Sequence, residues 1–253
     1  MAVENGEWIM RGLAWDDPYR IRTWQELVNW INEVGFLPLF ANGIEGFSAE
    51  EHVSPDYWWT GVREQDPWEW REIIASSHKV AYGKFFDKKA GFISLEWLPA
   101  FANLRRDGYD FDAAWEDGIA SRREKKIMDL LTDHDADGDM LFPDRDILST
   151  DLKKMAGFGK GGEKNYPGVI TALQMQTYLV ISDFRRRVNK KGEAYGMAVS
   201  ILLPPETIWG YETVTAAYTE TPEQSYERIR SRILELYPEA PETEVAKLVG
   251  KRR

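Results

Sequence analysis

The chain contains no cysteine, so disulfides and thiolate metal sites are excluded. That composition suits a reducing cytosol, and a cytoplasmic location is the expectation. Histidine is scarce too. His52, His78 and His134 are the only three, too few for a multi-histidine zinc centre. No Ser-His-Asp or Cys-His nucleophile set can be assembled. No apolar run approaches the roughly 20 residues that span a bilayer. The stretch Met1 to Met10 carries Glu4 and Glu7 and no basic run, unlike a secretory leader. Positive charge is short overall: 32 Lys and Arg stand against 42 Asp and Glu, a net charge of −10. That balance opposes generic nucleic-acid binding.

The distribution of charge reverses the argument locally. Across residues 151–192, Lys153, Lys154, Lys160, Lys164, Arg185, Arg186, Arg187, Lys190 and Lys191 face only Asp151, Glu163 and Asp183. A local basic face on an acidic protein can still bind phosphates. The same region has the most legible fold pattern. Ser121 opens a helix that runs to Thr132. Ser149 caps a second helix carrying Leu152, Met155 and Ala156, which Gly157-Phe158-Gly159-Lys160-Gly161-Gly162 breaks. Asn165 and Pro167 open a third helix with Val169, Ile170 and Leu173 at helical spacing. From Thr177 the period changes to two, through Tyr178, Leu179, Val180, Ile181 and Phe184. Asn189 to Gly192 turns the chain, and Ala194 to Leu203 returns. Three helices and a β-ribbon in this order predict a winged helix, with the third helix as recognition helix.

The remainder predicts a mainly helical, aromatic-rich body. Thr23 caps a helix with Leu27, Val28 and Ile31 on one face. Asp66 and Pro67 start another, with Glu69 as capping-box partner. Short strands are expected at 80–84 and 91–94, and helices at 95–106 and 112–120. A strand is expected over 211–218, a helix from Thr221-Pro222, and a last helix capped by Thr243, followed by a frayed basic tail of Lys251, Arg252 and Arg253. The predicted class is α+β. The expected divisions are an aromatic helical domain at 1–118, a winged helix at 119–218 and a C-terminal helical extension at 219–253. Ten of the eleven tryptophans lie between Trp8 and Trp115. Most are expected in the core, since such rings bury about 150–250 Å² each. Trp58 and Trp59, as neighbours, cannot both point inward on a regular element, so one of them is free to line a cleft.

Two motifs point to further chemistry. Asp133, Asp135, Asp137, Gly138, Asp139 and Asp144 match the oxygen-ligand spacing of an EF-hand calcium loop, with Asp144 in place of the longer glutamate at the last position. Calcium is the one cofactor the sequence raises; an acidic solvated loop is the competing reading. Asp66, Glu69 and Glu72 beside Trp68 and Trp70 form the most acidic aromatic cluster. The glycine-rich turn lacks the Gly-Lys-Ser/Thr ending of a nucleotide loop and follows a helix, so it reads as a turn whose amides approach a phosphate.

The block Leu173-Gln174-Met175-Gln176-Thr177-Tyr178-Leu179, the ribbon, Asp66-Pro67-Trp68-Glu69-Trp70-Arg71 and Ala81-Tyr82-Gly83-Lys84-Phe85-Phe86 together resemble a set of bacterial proteins related to the AlkZ-type winged-helix DNA glycosylases. The resemblance implies a winged-helix fold and a link to DNA repair. The glycosylases themselves excise alkylated or crosslinked bases with a Gln-x-Gln pair near the start of the fold. Gln174 and Gln176 share that spacing but stand late in the chain, so the catalytic role does not carry over to them. Three readings follow. The first is a DNA-binding protein whose phosphate contacts are Lys160, Lys164, Arg185, Arg186, Arg187, Lys190 and Lys191, with Gln174 and Gln176 at bases. The second is a base-excising hydrolase. The third is a winged helix used for protein interaction, which the net charge favours.

Overall fold

The computed structural model describes residues 2–4 and 7–250, with side chains from Ile9 onward; Trp8 and the 251–253 tail therefore lie outside the described side chains. Strands β1 (Ala2–Glu4) and β2 (Glu7–Ile9) pair antiparallel. Helix α1 (Trp24–Val34) starts where the Thr23 hydroxyl accepts from the Glu26 amide, and it buries Leu27, Val28, Ile31 and Val34. It stops at Gly35, whose φ of +98° and an approach of the Trp97 indole to 2.6 Å of a would-be Cβ leave room for no side chain. Strand β3 (Phe36–Pro38) follows directly. The Ser48 hydroxyl caps α2 (Ala49–His52).

Helix α3 (Pro67–Ser77) is capped by Asp66, which accepts from the Trp68 amide at 2.8 Å. Asp66 is wholly buried because it also accepts from the amides of Trp59 and Gly61, so it holds that loop in place. Strands β4 (Val80–Phe86) and β5 (Lys89–Ser94) are joined by Asp87 and Lys88, both at positive φ, the geometry that matches strand twist in a two-residue hairpin. The sheet order is β3-β5-β4, all antiparallel. With α4 (Leu98–Arg106) it encloses an aromatic core of Phe36, Phe47, Trp70, Phe85, Phe86, Phe92 and Phe101.

A second core begins after α4. Helix α5 (Phe111–Glu116) and α6 (Arg122–Met128) precede a short hairpin, β6 (Asp133–His134) with β7 (Met140–Leu141). Then come α7 (Ser149–Met155), α8 (Tyr166–Met175) and a long ribbon of β8 (Val180–Val188) and β9 (Ala194–Leu203). Phe111, Ile127, Met128, Leu131, Leu152, Leu173, Tyr178 and Leu179 meet in this core. The base of the ribbon leans on α3 and β4, so the two cores share a seam at Ile181.

The chain then returns to the first core. Helices α9 (Pro205–Trp209) and α10 (Tyr211–Val214) lead to α11 (Pro222–Leu236), opened by a Thr221–Gln224 capping box, and to α12 (Glu242–Val249). Helix α11 packs on α4, with Ile229, Ile233, Val245, Leu248 and Val249 completing the first core. Two consecutive arginines of α4 fasten this closure. Arg106 and Glu206 form a buried ion pair, and Arg106 also donates to the Thr177 carbonyl at 2.7 Å. Arg105, equally buried, donates to the carbonyls of Leu248 and Val249 at the end of α12 and of Met175 at the end of α8. A cation suits the negative ends of two helices.

The α+β class holds: helices dominate and every sheet is small and antiparallel. Several local expectations are corrected. Residues 211–214 are helical, not a strand. The Val214 and Thr215 amides bond locally to the Gly210 and Tyr211 carbonyls. Ser149 is inside α7 and does not cap it. Leu148 bridges Ile201 of β9, which holds Leu148 extended and makes Ser149 the first helical residue. Thr243 is likewise inside α12, which starts after Pro241. Helix α6 ends at Met128, short of Thr132, because the chain turns into the β6–β7 hairpin.

Candidate nucleic-acid interface

The turn between α7 and α8 is built to hold its lysines outward. Phe158 is buried against Tyr166, ring centres 5.3 Å apart, while Gly157 and Gly161 take φ values of +76° and +81°. Lys160 and Lys164 are exposed on either side. The one acid of the turn, Glu163, is engaged by Lys126 at 2.8 Å and Arg123 at 3.2 Å. Those hydrogen bonds, Lys126 first, hold its carboxyl below the usual glutamate range. Glu163 therefore fixes the turn to α6 and leaves the two lysines uncompensated.

The ribbon divides its cations in two groups. Arg185 is ion-paired, bonded to Asp146 and to Asp183 at 3.0 Å, so its charge is shared with two carboxylates. Its guanidinium pKa is raised by those two carboxylates. Arg186, Arg187, Lys190 and Lys191 are exposed, and like Lys160 and Lys164 they make no ion pair among the described residues. At the turn, the Asn189 Oδ1 accepts from the amides of Lys191 and Glu193, and its Nδ2 donates to the Glu193 carboxylate. The tip acid is thus held by Asn189.

Helix α8 does not present the predicted base-reading side chains. Gln174 is 2% exposed. Its Oε1 accepts from the Lys84 amide at 2.9 Å and its Nε2 donates to the Ile170 carbonyl, so it staples α8 to β4. Gln176 donates to Glu124 at 3.1 Å. The outer face of α8, from Gly168 through Thr171 and Ala172 to Met175, lines a groove of about 1070 Å³ whose far wall is α12 and whose floor includes Arg105. Burial pulls the Arg105 guanidinium down to about 9. The carbonyls around it keep the cation hydrogen-bonded at neutral pH.

The five loop aspartates are not brought together. Asp133 pairs with Arg145, and the Asp135 Oδ1 accepts from the amides of Asp137 and Asp139. Among the described residues no three carboxylate or imidazole groups converge as a metal cage. Asp144 instead lines a polar cavity of about 410 Å³ at the root of the ribbon, with His78, Asp146, Asp183 and Arg185. The acidic aromatic cluster is also redistributed: Asp66 is consumed by backbone amides, while Glu72 pairs with Arg71 at 3.0 Å and its pKa is raised by burial. Of the adjacent tryptophans, Trp58 is 6% exposed and Trp59 49%, so one points in and one out as expected.

Sequence reasoning missed Arg71, whose guanidinium carbon lies 3.8 Å from the Trp68 ring centre and 4.5 Å from that of Phe184. The i, i+3 spacing of Trp68 and Arg71 was the available signal. It also missed Asp146, which no local pattern links to Arg185, and the pairing of Arg185 with Asp183, which strand alternation places on the same face.

The geometry defines an acidic α+β protein whose glycine-rich turn and ribbon carry exposed cations that make no ion pair among the described residues. A family model described as AlkZ related matches residues 21–250, and the chain belongs to that family. No curated protein and no solved structure matches it. Among the described residues no helix is long and apolar enough to cross a membrane.

Proposed function

We propose that this is a winged-helix DNA-binding protein that grips the phosphate backbone with the α7–α8 turn and the β8–β9 ribbon. The observation that carries this reading is the set of Lys160, Lys164, Arg186, Arg187, Lys190 and Lys191, exposed and without ion pairs on a chain of net charge −10. Exposed cations concentrated on a turn and a ribbon suit an anionic partner. The burial of Gln174 and the groove along α8 argue for backbone contacts over base readout by that helix. Binding of a fluorescent duplex, followed across a salt series, tests the reading. A steep linear fall of log affinity with log salt is expected. A flat series, or no binding at low salt, overturns it.

A second reading, base excision, is favoured by the polar cavity at the ribbon root. Its size falls in the range that small ligands occupy, and Asp144, Asp146 and Asp183 offer carboxylates to orient or activate water beside an extruded base. Incubation with alkylated duplex and a search for abasic sites tests it. No product on a panel that an active control enzyme cleaves would remove it.

A further inference from the structure

The end of the ribbon carries a feature that phosphate binding does not use. Arg185 pairs with Val199 and Arg187 with Tyr195, so Arg186 alone stands opposite Gly196, Met197 and Ala198. The surplus residues form a bulge, turned by Gly196 at φ +72°. Met197 sits at its centre and is 87% exposed, more than any other large apolar side chain described. Tyr195 and Val188 beside it are exposed as well. Tyr195 shares a face with Arg187, whereas Val188, one step on, lies on the opposite face. The apolar group therefore spans both faces and the bulge. A flat partner surface covers only one of these.

Its position along the ribbon discriminates further. Lys190, Lys191 and Glu193 lie beyond the apolar group, at the turn. Insertion into a bilayer would drive those charges in first, which is costly. A groove walled by phosphates accommodates both parts: cations run on along the backbone while the apolar side chains enter between bases. Minor-groove binders combine Arg and Lys with an apolar wedge in this way, unstacking one base step.

Resting on the DNA reading above, we infer that the ribbon lies in the minor groove and that Met197, flanked by Tyr195, is pushed into a base step that it unstacks and kinks. The test uses the full chain and a set of duplexes, each with 2-aminopurine at a different internal position and dyes at its two ends. Wild type is expected to raise 2-aminopurine emission and shorten the end-to-end distance. Met197→Ser, at an exposed position, is expected to lose both signals while keeping its salt-dependent affinity. Unchanged signals in Met197→Ser, or wild-type binding with no signal at any position, overturn the wedge and leave phosphate binding intact. Absence of any duplex binding overturns both. Sedimentation of wild type, but not of Met197→Ser, with phosphatidylserine vesicles at the same ionic strength overturns the wedge in favour of a lipid surface.

Discussion

Arg71 of α3 and Phe184 of β8 meet where the ribbon leans on the first core, guanidinium carbon to ring centre at 4.5 Å. The same guanidinium lies on Trp68, and the fully buried Tyr82 hydroxyl bonds to it, with burial pushing the phenol pKa up. One side chain of α3 thereby sets how the β8–β9 ribbon stands on the first core. Arg71→Ala removes both ring contacts and leaves Tyr82 without its partner. A loss of about 1–3 kcal/mol is expected in urea denaturation. Arg71→Lys should recover little of it, since an ammonium does not stack as a plane. An unchanged midpoint in both variants would show that the ribbon is held by other contacts.

The Arg106–Glu206 pair makes a second, opposite prediction about charge. Burial pulls the Arg106 pKa down, and Glu206, helped by Tyr218, more than offsets it, so the net direction is up. Glu206→Gln strands a buried cation and should cost about 3–5 kcal/mol. Replacing both partners with apolar side chains of similar volume should recover most of that loss. Equal damage from the single and double changes would contradict the account.

Binding should respond unequally to the three consecutive arginines. Charge removal at Arg186 or Arg187 is expected to weaken all duplex sequences alike and to reduce the salt slope by about 1 for each phosphate that is no longer neutralised. Arg185→Ala should change the slope least, because Asp146 and Asp183 already compensate that charge. A slope change at Arg185 as large as at its neighbours would refute the division of the ribbon's cations.

Glu163 supplies a pH test. Its folded pKa is depressed, so its contribution is present above the ordinary value of 4.5 and is lost as pH falls through the lowered folded value. A carboxyl NMR titration should find Glu163 ionised at pH values where a free glutamate is already protonated. In an Arg123→Ala, Lys126→Ala double variant the midpoint should move up towards the ordinary value. No movement would mean that these cations do not hold the turn.

How much of this was legible in the sequence depends on the range of the interaction. Thr23, Asp66 and Thr221 were readable as caps because the amide each one accepts from lies within three residues, whereas Ser149 was displaced from its cap by the Leu148–Ile201 bridge to a distant strand. The order of helices and ribbon was readable from periodicity. The fate of polar side chains was not. Gln174 looks like a solvent-facing helix end until β4 is laid against α8, and Arg185 looks free until Asp146 arrives from another segment. The aspartate loop matched a calcium motif by spacing, yet spacing does not say that Asp135 turns onto its own backbone and that Asp133 meets Arg145. Residues 211–218 were expected as a strand, yet the first four close a helical turn through local amide–carbonyl bonds.

The return of α11 and α12 to the first core has a consequence for synthesis. The second core has nearly all its members once Leu179 has left the ribosome, with Leu202 soon after. The first core, begun at Ile21, waits for Val249. The half made first is therefore finished last. A nascent chain stalled before α11 presents an uncovered α4 and a largely complete second core, which marks the amino-terminal half as the part that chaperones and proteases meet first.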